Sequence, residues 1–284
     1  MSGKLFKNFS FLSATISFFI LVGIFAILFH YAQDALHTFG IDFLTTSTWE
    51  VGEDDEGGIF GGYIPIIGTL LSTLIAMVIA TPVAMGIAIF LTEIASEQLS
   101  KPVSIAIELL AAIPSIIYGM WGLFYFSPIV QKIFGGNGVG LLTAGIVLAI
   151  MIVPFMTAIT RDSMNTTPSI LKESAYAMGA TKFEVIKDVI MPYAKGGIIG
   201  SIILALGRAL GETMAVAFLI GSVMSLPSKI TDPTTSIPVL LANNFAEAED
   251  LEMSSMYFLA LILFVVSFVI ITLAKFYFLG RKEK

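Results

Sequence analysis

The sequence predicts an all-α integral membrane protein with six transmembrane helices. Of its 284 residues, 56% are hydrophobic and only 13% are charged, and the mean hydropathy is +0.92. Soluble domains carry about 25% charged residues, so about half of the usual solvating charge is missing. This composition excludes a disordered chain, a nucleic-acid binder and an ordinary cytosolic enzyme. The net charge of −6 also argues against a basic surface that binds polyanions.

The chain has no cysteine and only two histidines, His30 and His37. Disulfides, thiolate metal sites and a cysteine nucleophile are therefore excluded, and two histidines are too few for a histidine-built metal cluster. We expect no metal site and no catalytic residue in this chain.

The first predicted span covers about residues 11–32, within a stretch that has no charge between Lys7 and Asp34. A helix needs about 20 apolar residues to cross the hydrocarbon core, and this stretch is long enough. It exceeds the apolar region of a signal peptide and lacks an obvious small-residue cleavage site. We therefore expect an uncleaved span.

The second and third spans are predicted at about residues 64–91 and 103–127. The second is uncharged throughout, whereas the third is interrupted by Glu108 and Pro114. Membrane helices tolerate glycine and proline because neighbouring groups satisfy the freed backbone atoms. For Glu108 we favour a side chain that reaches the cytoplasmic interface over a role in a transport pathway.

The last three spans are predicted at about residues 141–160, 196–224 and 253–274. The fourth is uncharged, and the fifth contains Arg208 and Glu212. Together the six spans form a single transmembrane domain over residues 11–280, with short termini at residues 1–10 and 281–284.

The lysines and arginines predict the orientation of the chain. Twelve of the 15 lie in the termini or in the second and fourth connections, and the positive-inside rule places such segments in the cytoplasm. Both termini are therefore expected to be cytoplasmic. The twelve are Lys4, Lys7, Lys101, Arg161, Lys172, Lys182, Lys187, Lys195, Lys275, Arg281, Lys282 and Lys284.

The first outer connection is acidic and contains the run Glu53–Glu56. Its spacing does not match the alternating oxygen ligands of an EF-hand loop, so we interpret it as a solvated outer loop rather than a calcium site. It is also a weak candidate for contact with an extracytoplasmic partner.

The cytoplasmic connection at residues 161–195 has a pattern of its own. Thr167 followed by Pro168 predicts a helix start, and Gly179 predicts its end in the left-handed conformation. Thr181 and Glu184 have the spacing of a capping box, which predicts a second helix. We expect Pro192 to end that helix.

Three interpretations of this helix pair are open. It is a plain connector, a DNA-binding helix-turn-helix, or an element that docks its apolar face into a cytosolic partner. A plain connector does not need two capped helices, which argues against the first interpretation. The acidic residues and the membrane tether disfavour DNA binding.

The pair carries a recognisable motif. Glu173-Ser174-Ala175, three residues, Gly179, nine residues and then Val189-Ile190-Met191-Pro192 resemble the EAA loop of ABC importer permeases. That pattern is E-A-A-x3-G-x9-I-x-L-P, from which Ser174, Val189 and Met191 depart conservatively. The resemblance implies a type I ABC importer permease with a cytoplasmic coupling helix that sits in a cleft of an ATPase subunit. By this likeness Glu173, Ala175, Gly179 and Pro192 are the coupling residues.

The chain has no phosphate-binding loop of the G-x4-G-K-[ST] type; its only Gly-Lys pair is Gly3-Lys4, followed by leucine. We therefore expect no cofactor in this chain, with ATP and Mg²⁺ used by a separate ATPase.

Arg208 and Glu212 are charged residues at membrane depth, where charge is costly and ordinarily faces a bundle interior or a water-filled path. Their spacing of four residues allows a mutual ion pair. Alternatively, Arg208 faces the pathway and Glu212 orients it while an oxyanion competes for the guanidinium. The residues alone leave both open, and we favour the second.

The run Gly207–Val216, with six spans and the coupling loop, is similar to phosphate-specific ABC importer permeases of the PstC type. The resemblance implies that Arg208 and Glu212 line the phosphate pathway. It also implies a heterodimer with a PstA-type permease, two PstB-type ATPase subunits and a PstS-type phosphate-binding protein outside. The expected mechanism is alternating access.

The alternatives left open are a permease for molybdate, sulfate or phosphonate, and an ion-coupled secondary transporter, which predicts inverted repeats that the sequence does not clearly show. A membrane scaffold or sensor would leave the charged pair unexplained.

Overall fold

The structure is a computed structural model that describes residues 2–52 and 58–279. The acidic run Glu53–Glu56 and the C-terminal residues 281–284 lie outside the described residues. The chain divides into two compact units, one of Met1–Tyr63 with Leu240–Val266 and one of Ile64–Val239 with Ser267–Lys284.

The described residues are mostly helical, with one short antiparallel strand pair. Three helices contain or adjoin a wider π-helical turn, at Phe90–Ile94, Gly122–Phe126 and Val185–Ile190. The elements are α1 (Ser2–Tyr31), α2 (Gln33–Phe39), a 3₁₀ turn (Gly40–Leu44), β1 (Trp49–Glu50), β2 (Ile59–Phe60), α3 (Tyr63–Ile89), α4 (Glu97–Ala111), α5 (Ser115–Trp121), α6 (Ser127–Phe134), α7 (Leu141–Asn165), α8 (Ser169–Ala177), α9 (Lys182–Glu184), α10 (Met191–Leu210), α11 (Met214–Ala217), α12 (Ile237–Asn244) and α13 (Asp250–Leu279).

Within the part of the chain that the structure describes, five helical segments are long and apolar enough to cross a membrane, and a sixth results if one bent pair is counted as a single span. The segments are Leu5–Tyr31, Tyr63–Ile94, Leu141–Asn165, Lys182–Leu210 and Asp250–Tyr277, with the bent pair Glu97–Ala111 and Ser115–Phe134. Their order agrees with the six predicted spans, and the span boundaries themselves stay a prediction.

Two predicted spans differ from the helices found. The third, at about 103–127, is bent by 92° between α4 and α5, because Pro114 adopts an extended conformation before α5 begins. The fifth, at about 196–224, is one continuous helix only as far as Leu210, after which a break at Gly211 precedes the short helix α11 at Met214–Ala217. Hydropathy detects neither break because the broken segments remain apolar.

The unit that contains α1 is held by long-range polar contacts around Ser254 on α13. The Ser254 hydroxyl accepts a hydrogen bond from the Ala35 N–H at 3.0 Å and donates one to the Tyr31 carbonyl at 2.8 Å. The Trp49 indole donates to the Glu252 carboxylate at 3.0 Å. Part of the predicted outer loop is therefore folded back onto α13.

In the second unit, α3 presents a column of small buried residues at every fourth position. This spacing lies along one face of a helix, and small residues allow helix backbones to approach closely. The column is Gly68, Ser72, Ala76, Ala80, Ala84 and Ala88.

Helix α10 also packs closely against α7. The hydroxyls of Ser201 and Thr160, both buried, lie 2.8 Å apart in a hydrogen bond between the helices. A Cβ added at Gly197 would clash with the Ser163 side chain, so this crossing needs a glycine. The contact fixes the position of α10 and of Arg208 in its last turn.

Candidate functional site

Arg208 lies in the last turn of α10 and is half-buried. Its guanidinium carbon is 5.6 Å from the centre of the Phe155 ring on α7, within the range of a cation–π interaction. Tyr118 on α5 is close enough to Arg208 for a Coulombic interaction, and its hydroxyl donates to the Leu110 carbonyl at 2.9 Å. Helices α7 and α5 thus each contribute an aromatic residue to the surroundings of this cation.

Of the two alternatives for Arg208 and Glu212, the mutual ion pair is not found among the residues that the structure describes. Four residues bring two side chains together only while the helix continues, and α10 ends at Leu210. The Glu212 carboxylate instead accepts a hydrogen bond from the Ala215 N–H at 3.2 Å, at the start of α11. Among the residues that the structure describes, the ion pairs within 4.0 Å do not include Arg208 or Glu212.

Among the residues that the structure describes, no carboxylate lies within 4.0 Å of the Arg208 guanidinium. A guanidinium presents a planar set of five N–H donors, and an aromatic ring stabilises the cation without accepting those donors as strong hydrogen bonds. The donors therefore remain available to an oxyanion that can take two of them at once.

The second part of the site is the cytoplasmic loop at residues 161–195. Helix α8 ends at Ala177, and Gly179 follows with φ +89°, the left-handed conformation predicted for it. The Ala180 N–H donates to the Ala175 carbonyl at 3.1 Å across this turn. The predicted glycine turn between two helices is confirmed by this geometry, although α8 begins at Ser169 with Pro168, not Thr167, at its cap.

The second helix also begins as predicted. The Thr181 hydroxyl accepts from the Glu184 N–H at 3.4 Å, and the Glu184 carboxylate accepts from the Thr181 N–H at 2.7 Å. These two bonds form the predicted capping box.

The expectation that Pro192 ends this helix is wrong. Helical structure continues from Lys182 to Leu210, with Pro192 in the first turn of α10. The π-helical turn Val185–Ile190 precedes it, and such a widened turn accommodates a residue that has no N–H to donate. The second helix of this loop and the Arg208 segment are therefore parts of one continuous helix.

The loop presents an exposed apolar surface around Gly179. The Met178 side chain is 88% exposed and that of Phe183 is 70% exposed. Ile170 and Tyr176 on α8 are exposed as well. Large apolar side chains gathered at one exposed turn mark an interaction surface.

Of the predicted coupling residues, Glu173 is exposed and Ala175 is half-buried.

Ion pairs that involve Arg161 and Lys172 were not predicted. The Arg161 guanidinium lies 2.8 Å from the Glu108 carboxylate and also 2.8 Å from Asp162. Glu108 is thus paired with a cation on α7. The other pair joins Lys172 to Glu93, 79 positions apart in the chain. No local pattern in the sequence indicates either distant partner.

Comparison with known proteins identifies the family. The family model described as binding-protein-dependent transport system inner membrane component matches residues 2–282. The chain belongs to this family. It is therefore a component of a transport system, located in a membrane, and the family works with a binding protein.

Curated relatives of this transport component are similar over most of their length. The phosphate transport system permease protein PstC of Pasteurella multocida is 44% identical over 99% of this chain and 92% of its own. The protein of the same name in Haemophilus influenzae is 45% identical over 96% and 91%. A probable phosphate transport system permease protein PstC of Methanocaldococcus jannaschii is 34% identical over 94% and 90%.

Solved structures agree on the fold. A bacterial ABC transporter involved in the import of the acidic polysaccharide alginate matches with a TM-score of 0.65 at 16% identity, over 97% of this chain and 96% of that chain. The MetNI methionine ABC transporter in an inward-facing conformation matches with a TM-score of 0.57 at 21% identity, over 75% and 90%. The transport component thus has the fold of an ABC transporter permease.

Proposed function

We propose that this chain is the permease subunit of an ATP-driven importer that moves inorganic phosphate across the cytoplasmic membrane by alternating access. The observation that carries the proposal is the Arg208 guanidinium, which lies beside the Phe155 ring rather than a carboxylate. The relatives named phosphate transport permeases support it.

Arg208 supplies the chemistry that a phosphate ion needs in the membrane. An anion that loses its water without gaining a partner is prohibitively unfavourable in an apolar medium. A guanidinium offsets this cost by donating two parallel hydrogen bonds to a tetrahedral oxyanion. Glu212 contributes to the pathway by accepting the Ala215 N–H in the first turn of α11, just after the helix that carries Arg208 ends.

The exposed surface around Gly179 is the docking element for the ATPase. Met178 and Phe183 provide its apolar contacts, and Glu173, Gly179 and Pro192 hold the loop in the shape of the EAA motif. ATP and Mg²⁺ bind to that ATPase and not to this chain.

The full complex contains a PstA-type permease as the partner of this chain, two PstB-type ATPase subunits and a PstS-type phosphate-binding protein outside. Both termini lie in the cytoplasm, as the distribution of lysine and arginine favours. When the ATPase subunits close, they move the helix pair around Gly179, and this movement opens the pathway alternately to the binding protein and to the cytoplasm.

Docking is tested by cross-linking. Ala177 is exposed at the end of α8, and a cysteine there should cross-link to the ATPase in an active complex. A cysteine at Tyr125, exposed in the π-helical turn Gly122–Phe126, is the control and should not. An active complex without the Ala177→Cys cross-link would contradict the docking assignment.

Transport is tested with the purified complex in liposomes. Uptake of labelled phosphate and ATP hydrolysis are measured for the parent complex, Arg208→Gln and Arg208→Lys. We expect Arg208→Gln to lose uptake and Arg208→Lys to keep part of it. Normal uptake by Arg208→Gln would remove Arg208 from the pathway.

Parallel assays with sulfate, molybdate and a phosphonate distinguish phosphate from other oxyanions. Accumulation of solute by this chain alone, without an ATPase, would contradict an ATP-driven mechanism and favour a secondary transporter.

A further inference from the structure

A short ion pair connects the docking loop to the end of the second predicted span. The Lys172 ammonium lies 2.5 Å from the Glu93 carboxylate. The side chain of Glu93 is only 9% exposed and that of Lys172 is 24% exposed. Glu93 belongs to the π-helical turn Phe90–Ile94 that follows α3, and Lys172 precedes Glu173 on α8. The pair is thus largely removed from water at the junction of two elements.

The two helices of the loop are attached to the rest of the unit in different ways. The second helix is anchored by apolar packing, because Val185 and Ile190 are fully buried in one cluster with Ala88 and Met164. By contrast, none of the residues of α8, all of which the structure describes, is buried. Only the half-buried Ala175 packs against that cluster from α8. The ion pair is a second, polar contact that joins α8 to the turn following α3.

A charged pair in this position is sensitive to the loss of either member. An exposed ion pair contributes little, because water solvates each charge when the other is removed. A buried carboxylate that loses its cation stays desolvated and unpaired, which is strongly unfavourable. The Glu93 side chain is only 9% exposed, so its carboxylate would be left desolvated and unpaired without Lys172. The pair therefore keeps α8 and the end of α3 together only while both charges are present.

We propose that Lys172 and Glu93 are positioning residues that transmit the movement of α8, driven by the ATPase, to the second span. This inference rests on the proposed function, in which α8 is part of the docking element. Apolar packing carries the same movement from the second helix to α3 and α7. The ion pair adds a separate connection from the first helix, so that both helices of the loop move the spans.

The test is performed on the full complex in liposomes with the binding protein present. Lys172→Gln and Glu93→Gln remove one charge each, and the double variant Lys172→Glu with Glu93→Lys reverses the pair. The measurements are solute uptake, ATP hydrolysis and the amount of ATPase that copurifies. The matched control is the pair Lys101–Glu97, which joins the same residue types at 2.7 Å but has side chains 73% and 79% exposed.

We expect each single variant to retain the ATPase and its hydrolysis but to lower solute uptake per ATP by about fivefold or more. The reversed pair should restore most of that ratio, and Lys101→Gln should not change it. An unchanged ratio in both single variants would overturn the proposal. Loss of the ATPase that the reversed pair does not restore would also overturn it, because the pair would then serve folding alone.

These outcomes are distinct from a failure of the proposed function. If the parent complex shows no ATP-dependent uptake of any oxyanion, the proposed function fails. If it transports a different oxyanion, the uptake ratio is measured with that solute, and the variants are judged in the same way.

Discussion

The guanidinium of Arg208 lies over the ring of Phe155, with 5.6 Å between the guanidinium carbon and the ring centre. The ring belongs to α7 and the cation to α10, and the two helices are joined by the hydrogen bond between Thr160 and Ser201. The position of the cation is therefore set by a helix crossing and not by an acidic neighbour on its own helix.

Phe155 is expected to position Arg208 for the anion. Replacing Phe155 with leucine removes a cation–π interaction of about 0.5–2 kcal/mol, so the apparent KM for phosphate uptake should rise by about two- to thirtyfold. Phe155→Tyr keeps an aromatic ring and is the control. Equal KM values for the leucine and tyrosine variants would argue against a positioning role.

Glu212 is expected to act as a hydrogen-bond acceptor at the start of α11. Glu212→Gln keeps an acceptor for the Ala215 N–H, whereas Glu212→Ala loses it at a cost of about 1 kcal/mol. The alanine variant should therefore show the lower melting temperature and the lower uptake of phosphate. If glutamine were as harmful as alanine, the charge of Glu212 rather than its hydrogen bond would be needed.

Gly179 is expected to be required for its backbone conformation alone. Its φ is +89°, and an added Cβ would meet no atom within 4 Å, so Gly179→Ala creates no clash. It imposes the cost of a left-handed residue, about 1–2 kcal/mol. Asparagine tolerates this conformation better than alanine.

We therefore expect Gly179→Ala to weaken ATPase copurification and Gly179→Asn to weaken it less. The measurement is the ratio of ATPase to permease after purification. A larger loss for asparagine would point to a steric requirement of the bound partner instead.

Gly197 is expected to be required for close packing of α10 on α7. An added Cβ would overlap the Ser163 side chain, whereas one added at the adjacent Gly196 would meet no atom within 4 Å. Overpacking of this kind costs about 1–3 kcal/mol.

Gly197→Ala should therefore lower the melting temperature of the purified complex, and Gly196→Ala should not. Similar melting temperatures for the two variants would show that the packing of α10 on α7 accommodates the added methyl group without a loss of stability.

Local features of the coupling loop were predictable from the sequence because the residues that cause them are adjacent in the chain. Gly179 provides the left-handed turn, and Thr181 with Glu184 forms a capping box; both were found where the pattern placed them. Apolar length likewise predicted the order of the helical segments.

The rest depends on contacts that a sequence pattern does not contain. The break after Leu210 separates Arg208 from Glu212, and Arg208 instead lies over Phe155, 53 positions earlier in the chain. The helix also continues through Pro192 because a π-helical turn precedes it. Periodicity assumes a regular helix, so it fails where the helix is interrupted or widened.

The uninterrupted helical course from Lys182 to Leu210 has a mechanical consequence. Its 29 residues span roughly 40 Å, and α7 holds it near its middle through Gly197 and Ser201. Phe183 and Arg208 lie near the two ends of this helix, with no break in the helical structure between them. A displacement at Phe183 is therefore passed along one helix to the turn that carries Arg208.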